Sequence, residues 1–351
     1  MNRINIGATF YHMENLMKKH TCLFIFLFTL LLPLTTNAKI QSLFLESTIY
    51  NKKQSFDISL PESYSSSPNR YYPVIYVLHG QWDMPLVTST VDVMSGEIPE
   101  FIVIGIHGKG KQLQPITEKN KKVGKAFRSF LHNELIPYVD KHYRIASYNI
   151  LVGHSNSGRF AIEQMLTKNK LYKDYFVFSP SLEDAYLTKL AHKSSNLKGY
   201  LFISVADEGE HMETPFSEVV STLKLQNGLT LNSKKYPDYS HQSSKIVALV
   251  NALQLRFSNW QPSYNTKIAG FEKLMEHYVT LKQEFGFEVL PVKDDIVRLI
   301  AYFAVENNTK EIKKFSQLLT ERYSGGDESL KEIKDYLSQE GYGKAAKNIK
   351  I

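Results

Sequence analysis

Residues 150–158, ILVGHSNSG, place a serine at a sharp turn between an apolar run and a helical pattern. The segment differs from the G-x-S-x-G nucleophile elbow only at its fifth position, where Ser157 replaces glycine. The strand before it and the helix after it favour Ser155 as a nucleophile, with the backbone N–H of Asn156 directed at a developing oxyanion. The alternative interpretation is an ordinary strand-to-helix turn that Ser155 caps.

Further apolar runs surround this segment at residues 73–78, 101–106 and 200–205. Continuous runs of this length are typical of strands that are buried on both faces of a parallel sheet. Helical patterns lie between them, for example over residues 123–138 and 159–167. Strands that alternate with helices predict an α/β fold, in which a mostly parallel sheet carries helices on both faces.

The composition of the 351 residues is that of a globular protein, with 43% hydrophobic and 22% charged residues. These values exclude a disordered, collagen-like or coiled-coil chain. The net charge of +7 raises the question of a nucleic-acid partner. Basic residues interleaved with aromatic ones are not found, and Lys121–Lys122 and Lys234–Lys235 are only pairs, so we interpret the charge as a solvated basic surface without a nucleic-acid partner.

Residues 1–38 predict a secretory signal peptide. Lys18 and Lys19 precede an uncharged apolar stretch from Cys22 to Leu34, which is short of the roughly 20 residues that span a bilayer. Small residues end the segment and place cleavage after Ala38. We therefore expect an exported protein, periplasmic or secreted, without a stable membrane span after cleavage; the alternative is an uncleaved N-terminal anchor. Cys22 is the only cysteine, so the mature chain would lack disulfides and thiol catalysis.

The part of the chain beyond Trp260 shows only helical periodicity. We expect a signal peptide at 1–38, an esterase domain at 39–260, and a small all-α region at 265–351. A weak self-match at an offset of 34 residues suggests a tetratricopeptide-like repeat, and a plain helical cap fits equally well. Such a region could recruit a protein partner or mediate self-association. The candidate helices cover residues 269–285, 294–305, 310–323, 330–339 and 344–351.

A nucleophilic serine needs a base and an acid, which in this architecture follow it along the chain. His241 lies in a polar loop that opens a helical pattern after the last predicted strand, and we expect it to be the base. A surface histidine that caps the helix is the alternative. The acid should follow the run 200–205. The spacing there does not decide between Asp207, Glu208 and Glu210. The task of the acid is to hold the imidazole in one tautomer and to stabilise the imidazolium.

A second oxyanion donor is expected in the turn after the first core strand, residues 79–82. The backbone N–H of Gln81 or of Trp82 is the candidate donor. The Trp82 side chain could form a wall of the substrate pocket, or it could pack in the core.

Several segments in order along the chain carry a family resemblance: residues 60–64 (LPESY), 72–80 (YPVIYVLHG), 97–106, 130–144 (FLHNELIPY and YR), 153–155 (GHS) and 240–241 (SH). Together they resemble the Putative esterase family of α/β-hydrolases, which includes esterase D and the enterobactin-type siderophore esterases. His79 stands where that family has aspartate. The resemblance implies an α/β-hydrolase fold and hydrolysis of carboxylic esters or thioesters without a metal or other cofactor. It also implies Glu210 as the acid, with Asp207 second.

The sequence thus predicts an exported serine esterase acting on a small-molecule ester, possible substrates including siderophore esters or thioesters. The first alternative is a binding protein on a hydrolase scaffold, and the second is acyl transfer to an alcohol. Metal chemistry has little support, because the histidines are scattered and H-E-x-x-H does not occur. Residues 105–111 lack the spacing of a phosphate-binding loop.

Overall fold

Eight strands form one mixed sheet in the order β1-β2-β4-β3-β5-β6-β7-β8. The computed structural model describes residues 40–167, 171–182 and 185–350, and the predicted signal peptide lies outside them. Strands β3 to β8 pair in parallel, and β1 and β2 extend the sheet antiparallel at one edge. The strands are β1 (Gln41–Ser47), β2 (Lys52–Ser59), β3 (Tyr72–Leu78), β4 (Ile102–Ile106), β5 (Ile145–His154), β6 (Asp174–Phe178), β7 (Gly199–Ala206) and β8 (Leu229–Tyr236).

Helices connect the strands and cover both faces of the sheet, and the predicted α/β-hydrolase fold is confirmed. The helices that accompany the sheet are α1 (Gly80–Val93), α2 (Lys121–Phe130), α3 (Ile136–His142), α4 (Asn156–Leu166), α5 (Tyr186–Lys193), α6 (Glu210–Leu223) and α7 (His241–Arg256). Those that follow are α8 (Tyr264–Ile268), α9 (Phe271–Phe285), α10 (Lys293–Val305), α11 (Thr309–Arg322), α12 (Gly326–Gln339) and α13 (Gly343–Asn348).

Among the elements that the sequence did not predict are α1, β6 and β8. Strand β6 has only five residues, and β8 is an edge strand whose middle is polar and partly exposed. Helix α1 contains Pro85 and begins directly after β3, so no loop separates it from the strand. Short or polar segments give a weak periodic signal, and the neighbouring strand β7 supplies the pairing that makes β8 a strand.

The two faces of the sheet bury separate apolar clusters. Along β3, Ile75 and Val77 enter one cluster, whereas Val74, Tyr76 and Leu78 enter the other. This alternation follows from the two-residue repeat of a strand. Both clusters are buried, which explains why β3 is apolar at every position.

Glu134 holds the turn between β1 and β2. It lies in a π-helical turn, Leu131–Leu135, that joins α2 to α3, where the sequence predicted one continuous helix. Its carboxylate accepts hydrogen bonds from the hydroxyls of Ser47 and Thr48 and from the N–H groups of Thr48 and Ile49, at 2.5 to 3.1 Å. Burial alone would raise the pKa of Glu134, but these bonds outweigh it and lower the pKa below the ordinary value.

Helices α9 to α13 continue the apolar cluster that lies on the α1 and α7 face of the sheet. Their bounds agree with the predicted helices to within a few residues; a tetratricopeptide-like repeat and the predicted domain boundaries stay predictions. Arg256 at the end of α7 fastens this region: it donates to Asp174 and to Glu284 of α9, each at 2.5 Å. In the described part of the chain, no helix combines the length and apolarity that a membrane crossing requires.

Candidate active site

Ser155 occupies a strained turn between the last residue of β5 and the first residue of α4. Its backbone dihedrals are φ 57° and ψ −124°, a region that a residue with a side chain rarely adopts. Gly153 allows the turn, because a Cβ atom there would lie 2.4 Å from the carbonyl oxygen of Ser157. The strand and the helix therefore approach closely, and Ser155 is placed at the carboxyl edge of the sheet, as the sequence predicts.

Ser157, which departs from the elbow pattern, stabilises the turn. Its hydroxyl donates to the carbonyl oxygen of His154 at 2.8 Å and accepts from the N–H of the same residue at 2.9 Å. Ser157 is fully buried, and its hydroxyl is the partner of both the backbone N–H and the backbone C=O of His154 at the end of β5. The substitution of glycine by serine at this position is thus compatible with an intact elbow.

His241 pairs with Glu208. His241 is the first residue of α7, and its Nδ1 atom lies 2.5 Å from Oε1 of Glu208. Glu208 lies in the loop after β7, as was expected for the acid. A carboxylate on Nδ1 fixes the tautomer that leaves Nε2 able to accept a proton.

Glu210 and Asp207, the two acids that the family resemblance implied, do not pair with His241 in the structure. Both side chains are exposed, whereas Glu208 between them is partly buried. Gly209, at φ 79°, turns the chain so that Glu210 becomes the first residue of α6 instead of facing the histidine. The family resemblance implied Glu210, and the structure pairs His241 with Glu208, because the path of the backbone decides which of three carboxylates within four residues reaches the histidine.

Ser179 supports Glu208 and was not found from the sequence. Its buried hydroxyl accepts from the N–H of Ala206 at 3.0 Å and is hydrogen-bonded to the Glu208 carboxylate. Burial would raise the pKa of Glu208, but the hydrogen bonds from His241, Ser179 and the Ala206 N–H together lower it. Glu208 is therefore ionised at neutral pH. The signal in the sequence is the four-residue apolar run of β6 after Asp174, which directly precedes Ser179.

His154 supports the backbone of His241. Its Nε2 atom lies 2.8 Å from the carbonyl oxygen of His241, and the centres of the two rings are 4.4 Å apart. A carbonyl oxygen only accepts, so Nε2 of His154 carries a proton. Burial, followed by the proximity of His241, lowers the pKa of His154 to about 4. His154 is consequently neutral at neutral pH and does not repel an imidazolium at His241.

No hydrogen bond of 3.5 Å or less joins Ser155 to His241 in the described structure. The two residues are nonetheless neighbours, because His154, next to Ser155, contacts the ring and the carbonyl of His241. Hydrogen bonds of this kind are often long before substrate binds.

Two backbone N–H groups are available as oxyanion donors. The N–H of Trp82 is committed, since it donates to the carbonyl of His79 at 2.8 Å. Among the described residues, the N–H groups of Gln81 and Asn156 have no backbone acceptor. Of the two candidates in the turn after β3, the structure thus favours Gln81. The Trp82 side chain is 63% exposed and contacts His79 edge-on at 5.1 Å between ring centres, so it does not pack in the core.

An ion pair joins the helix of the oxyanion turn to the helix of the base. Lys245 of α7 lies 2.6 Å from Asp83 of α1, and both side chains are largely buried. Lys245 follows His241 by one helical turn, so the pair fixes the distance between the start of α7 and the start of α1. This contact was not predicted, because it links residues that are far apart in sequence.

A serine at a strained strand-to-helix turn, beside a histidine that is held by a carboxylate, is the arrangement of an α/β-hydrolase. The family model described as Putative esterase matches residues 47–227, more than half of the chain, and the chain belongs to this family. The predicted resemblance is thereby confirmed. No curated protein matches the chain.

Solved structures of similar proteins agree with the fold. An IroE-like serine hydrolase from Shewanella oneidensis is 25% identical, with a TM-score of 0.66 over 80% of this chain and 98% of that chain. An uncharacterised protein from Capnocytophaga ochracea is 20% identical, with a TM-score of 0.63 over 88% of this chain and 92% of that chain. Siderophore hydrolase EstB from Aspergillus nidulans is 16% identical, with a TM-score of 0.54 over 64% of this chain and 96% of that chain. The last two show a common fold alone.

Proposed function

We propose that this chain is an exported serine hydrolase that cleaves carboxylic esters through Ser155, His241 and Glu208. The observation that carries the proposal is the 2.5 Å pair of His241 and Glu208 next to a serine on a strained elbow. Membership of the esterase family supports the reaction class. The acid differs from the one that the family resemblance implied.

The reaction follows from these positions. His241 Nε2 accepts the proton of the Ser155 hydroxyl while the oxygen attacks the ester carbonyl, and the N–H groups of Gln81 and Asn156 stabilise the oxyanion. Glu208 stabilises the imidazolium that forms. His241 then gives the proton to the leaving alcohol, and water attacks the acyl-enzyme by the same route. The acid is released and Ser155 regains its proton.

We propose a class of substrates, carboxylic esters and thioesters, and not a single compound. Carboxylic esters and thioesters both yield an acyl-enzyme with a serine. Siderophore esters are included, since the chain is 25% identical to a hydrolase described as IroE-like. Export rests on the predicted signal peptide, and secretion of the full-length chain with cleavage after residue 38 is the test.

The catalytic proposal is tested on residues 39–351 with short-chain p-nitrophenyl esters and a fluorophosphonate label. We expect Ser155→Ala to lose turnover and labelling while its circular dichroism and melting temperature stay unchanged. The matched control is Ser217→Ala, which removes an exposed helical hydroxyl from α6 and should keep full activity. Retention of activity by Ser155→Ala would refute the assignment, and a folded wild-type chain with neither turnover nor labelling would indicate a binding scaffold.

The helices of residues 265–351 are proposed to bind a protein partner or a second copy of the chain. Support comes from large apolar side chains that stay about half exposed on several of these helices, at Val279, Val305 and Tyr336. Sedimentation of the purified protein over a range of concentrations tests self-association.

A further inference from the structure

The positive charge of the chain is concentrated in one segment. Residues 109–125 contain six lysines and one acidic residue, Glu118, which is a net charge of +5 in a chain whose total is +7. The sequence pattern alone predicts only a generally basic surface. The structure places this excess in two adjoining parts, the connection between β4 and α2 and the first part of α2 itself.

This basic segment begins beside the oxyanion turn. Strand β4 runs parallel to β3, and β3 runs parallel to β5, so the connection leaves the same carboxyl edge that carries Ser155. The side-chain amide of Gln81 donates to the carbonyl of Gly108 at 3.1 Å. His107, the residue before, is held by Asp57 at 2.8 Å and by Ser55 at 2.9 Å. The start of the segment is thus fixed next to a proposed oxyanion donor.

The other end of the basic segment is fastened to the helix of the nucleophile. Arg128 of α2 makes two hydrogen bonds to the carboxylate of Glu163 in α4, at 2.8 and 2.9 Å. The same guanidinium donates to the carbonyls of Gln112 and Gln114 within the segment, at 3.5 and 3.4 Å. Arg128 is therefore neutralised and serves as an anchor, while the lysines are left to face solvent.

The lysines of the segment are exposed and mostly without a counter-charge. Lys121 lies 3.1 Å from Glu118, and both of these side chains are exposed. In the described ranges of the chain, no carboxylate lies within 4.0 Å of the other five lysines. A cluster of uncompensated like charges on a protein surface attracts anions and raises their association rate at low salt. The lysines are Lys109, Lys111, Lys119, Lys121, Lys122 and Lys125.

We infer that the basic segment binds the non-reacting part of the substrate, and that this part carries several negative charges. The inference rests on the proposed esterase function and specifies its substrate as a small polyanionic ester. The lysines act as point charges that hold an anion without directional bonds. On this view, both the neutral surface of Trp82 and the basic segment lie on the approach to Ser155. The basic segment then selects substrates that carry negative charge.

The test removes three of these charges with Lys119→Gln, Lys122→Gln and Lys125→Gln in one chain. A matched control removes three exposed lysines from α12 and α13, with Lys331→Gln, Lys344→Gln and Lys347→Gln. Each protein is assayed with p-nitrophenyl butyrate and with mono-p-nitrophenyl glutarate, which share a leaving group and differ by a carboxylate. Anisotropy of pyrenetetrasulfonate, a fluorescent tetra-anion, measures anion binding without turnover.

We expect the segment variant to bind the tetra-anion on the order of a hundredfold more weakly at about 20 mM salt, because each of the three removed charges attracts four negative charges at about 10 Å in water. Its kcat/KM should fall for the glutarate and stay constant for the butyrate, and about 0.5 M salt should abolish the difference. The tetra-anion should also inhibit hydrolysis of the glutarate.

The inference would be overturned by any of three results. The control variant could lose as much as the segment variant, the segment variant could lose the same kcat/KM for both esters, or its tetra-anion binding could be unchanged. Binding to vesicles of anionic phospholipid in place of the tetra-anion would overturn it in favour of a membrane surface. A wild-type chain that binds the tetra-anion through these lysines but hydrolyses neither ester would refute the esterase function and leave the anion site standing.

Discussion

The choice between Glu208 and Glu210 makes the sharpest prediction about the proposed active site. We predict that Glu208→Gln lowers kcat by about 10³-fold, whereas Glu210→Gln leaves kcat within about twofold. Both changes remove one negative charge, at positions two residues apart in the chain, so general electrostatic effects are closely matched. Only the first change removes the carboxylate that lies 2.5 Å from His241 Nδ1.

The magnitude follows from the charge that forms during the reaction. An imidazolium and a carboxylate with charge centres about 4 Å apart attract each other by about 4 kcal/mol at an effective dielectric constant of 20. Since about 1.4 kcal/mol corresponds to a tenfold change in rate, the loss is about 10³-fold. A glutamine can also donate its amide to Nδ1, which would leave Nε2 protonated and unable to act as a base.

The assay is steady-state hydrolysis of p-nitrophenyl butyrate at neutral pH, with thermal unfolding of each variant as the control for folding. Fluorophosphonate labelling should slow in parallel with kcat for Glu208→Gln, because the same base activates the serine. A larger loss for Glu210→Gln, or a Glu208→Gln variant with kcat within about tenfold of the wild type, would show that the pair seen here does not operate in the reaction.

Three further predictions concern residues around the site and in the frame of the fold. Ser179→Ala should raise the pKa of Glu208 and lower kcat about tenfold with KM unchanged, since about 1–1.5 kcal/mol of hydrogen bonding to the carboxylate is lost; an unaltered pH profile would argue against this role. Glu134→Gln should destabilise the fold by about 1.5–3 kcal/mol at neutral pH. The pKa of Glu134 is lowered in the folded state, so its stabilisation is complete above the unfolded pKa of about 4.3 and disappears as the pH falls through the folded value. The urea midpoints of wild type and variant should therefore converge in acid. Arg256→Met should destabilise by about 3–5 kcal/mol, because Asp174 is 2% exposed and would be left as an unpaired buried charge. Adding Asp174→Asn should restore much of that loss, and kcat should be unaffected in both, because Asp174 begins its strand at the edge opposite Ser155.

The sequence by itself determined the architecture and predicted the nucleophile and the base of the proposed site. Continuous apolar runs identify strands buried on both faces, and the elbow around Ser155 has a local pattern because its geometry requires small residues at fixed offsets. His241 could be placed from its position after the last strand. These features are local, so a single segment contains the information that defines them.

The tertiary structure decided which acid faces the histidine and what supports it. Asp207, Glu208 and Glu210 all carry a carboxylate, and the turn at Gly209 and the position of His241 decide which of them makes the pair. The hydroxyl of Ser179 behind Glu208 comes from the segment that follows β6. The orientation of a carboxylate depends on the sum of several weak contacts between segments that are distant along the chain, and no local pattern in the sequence records that sum.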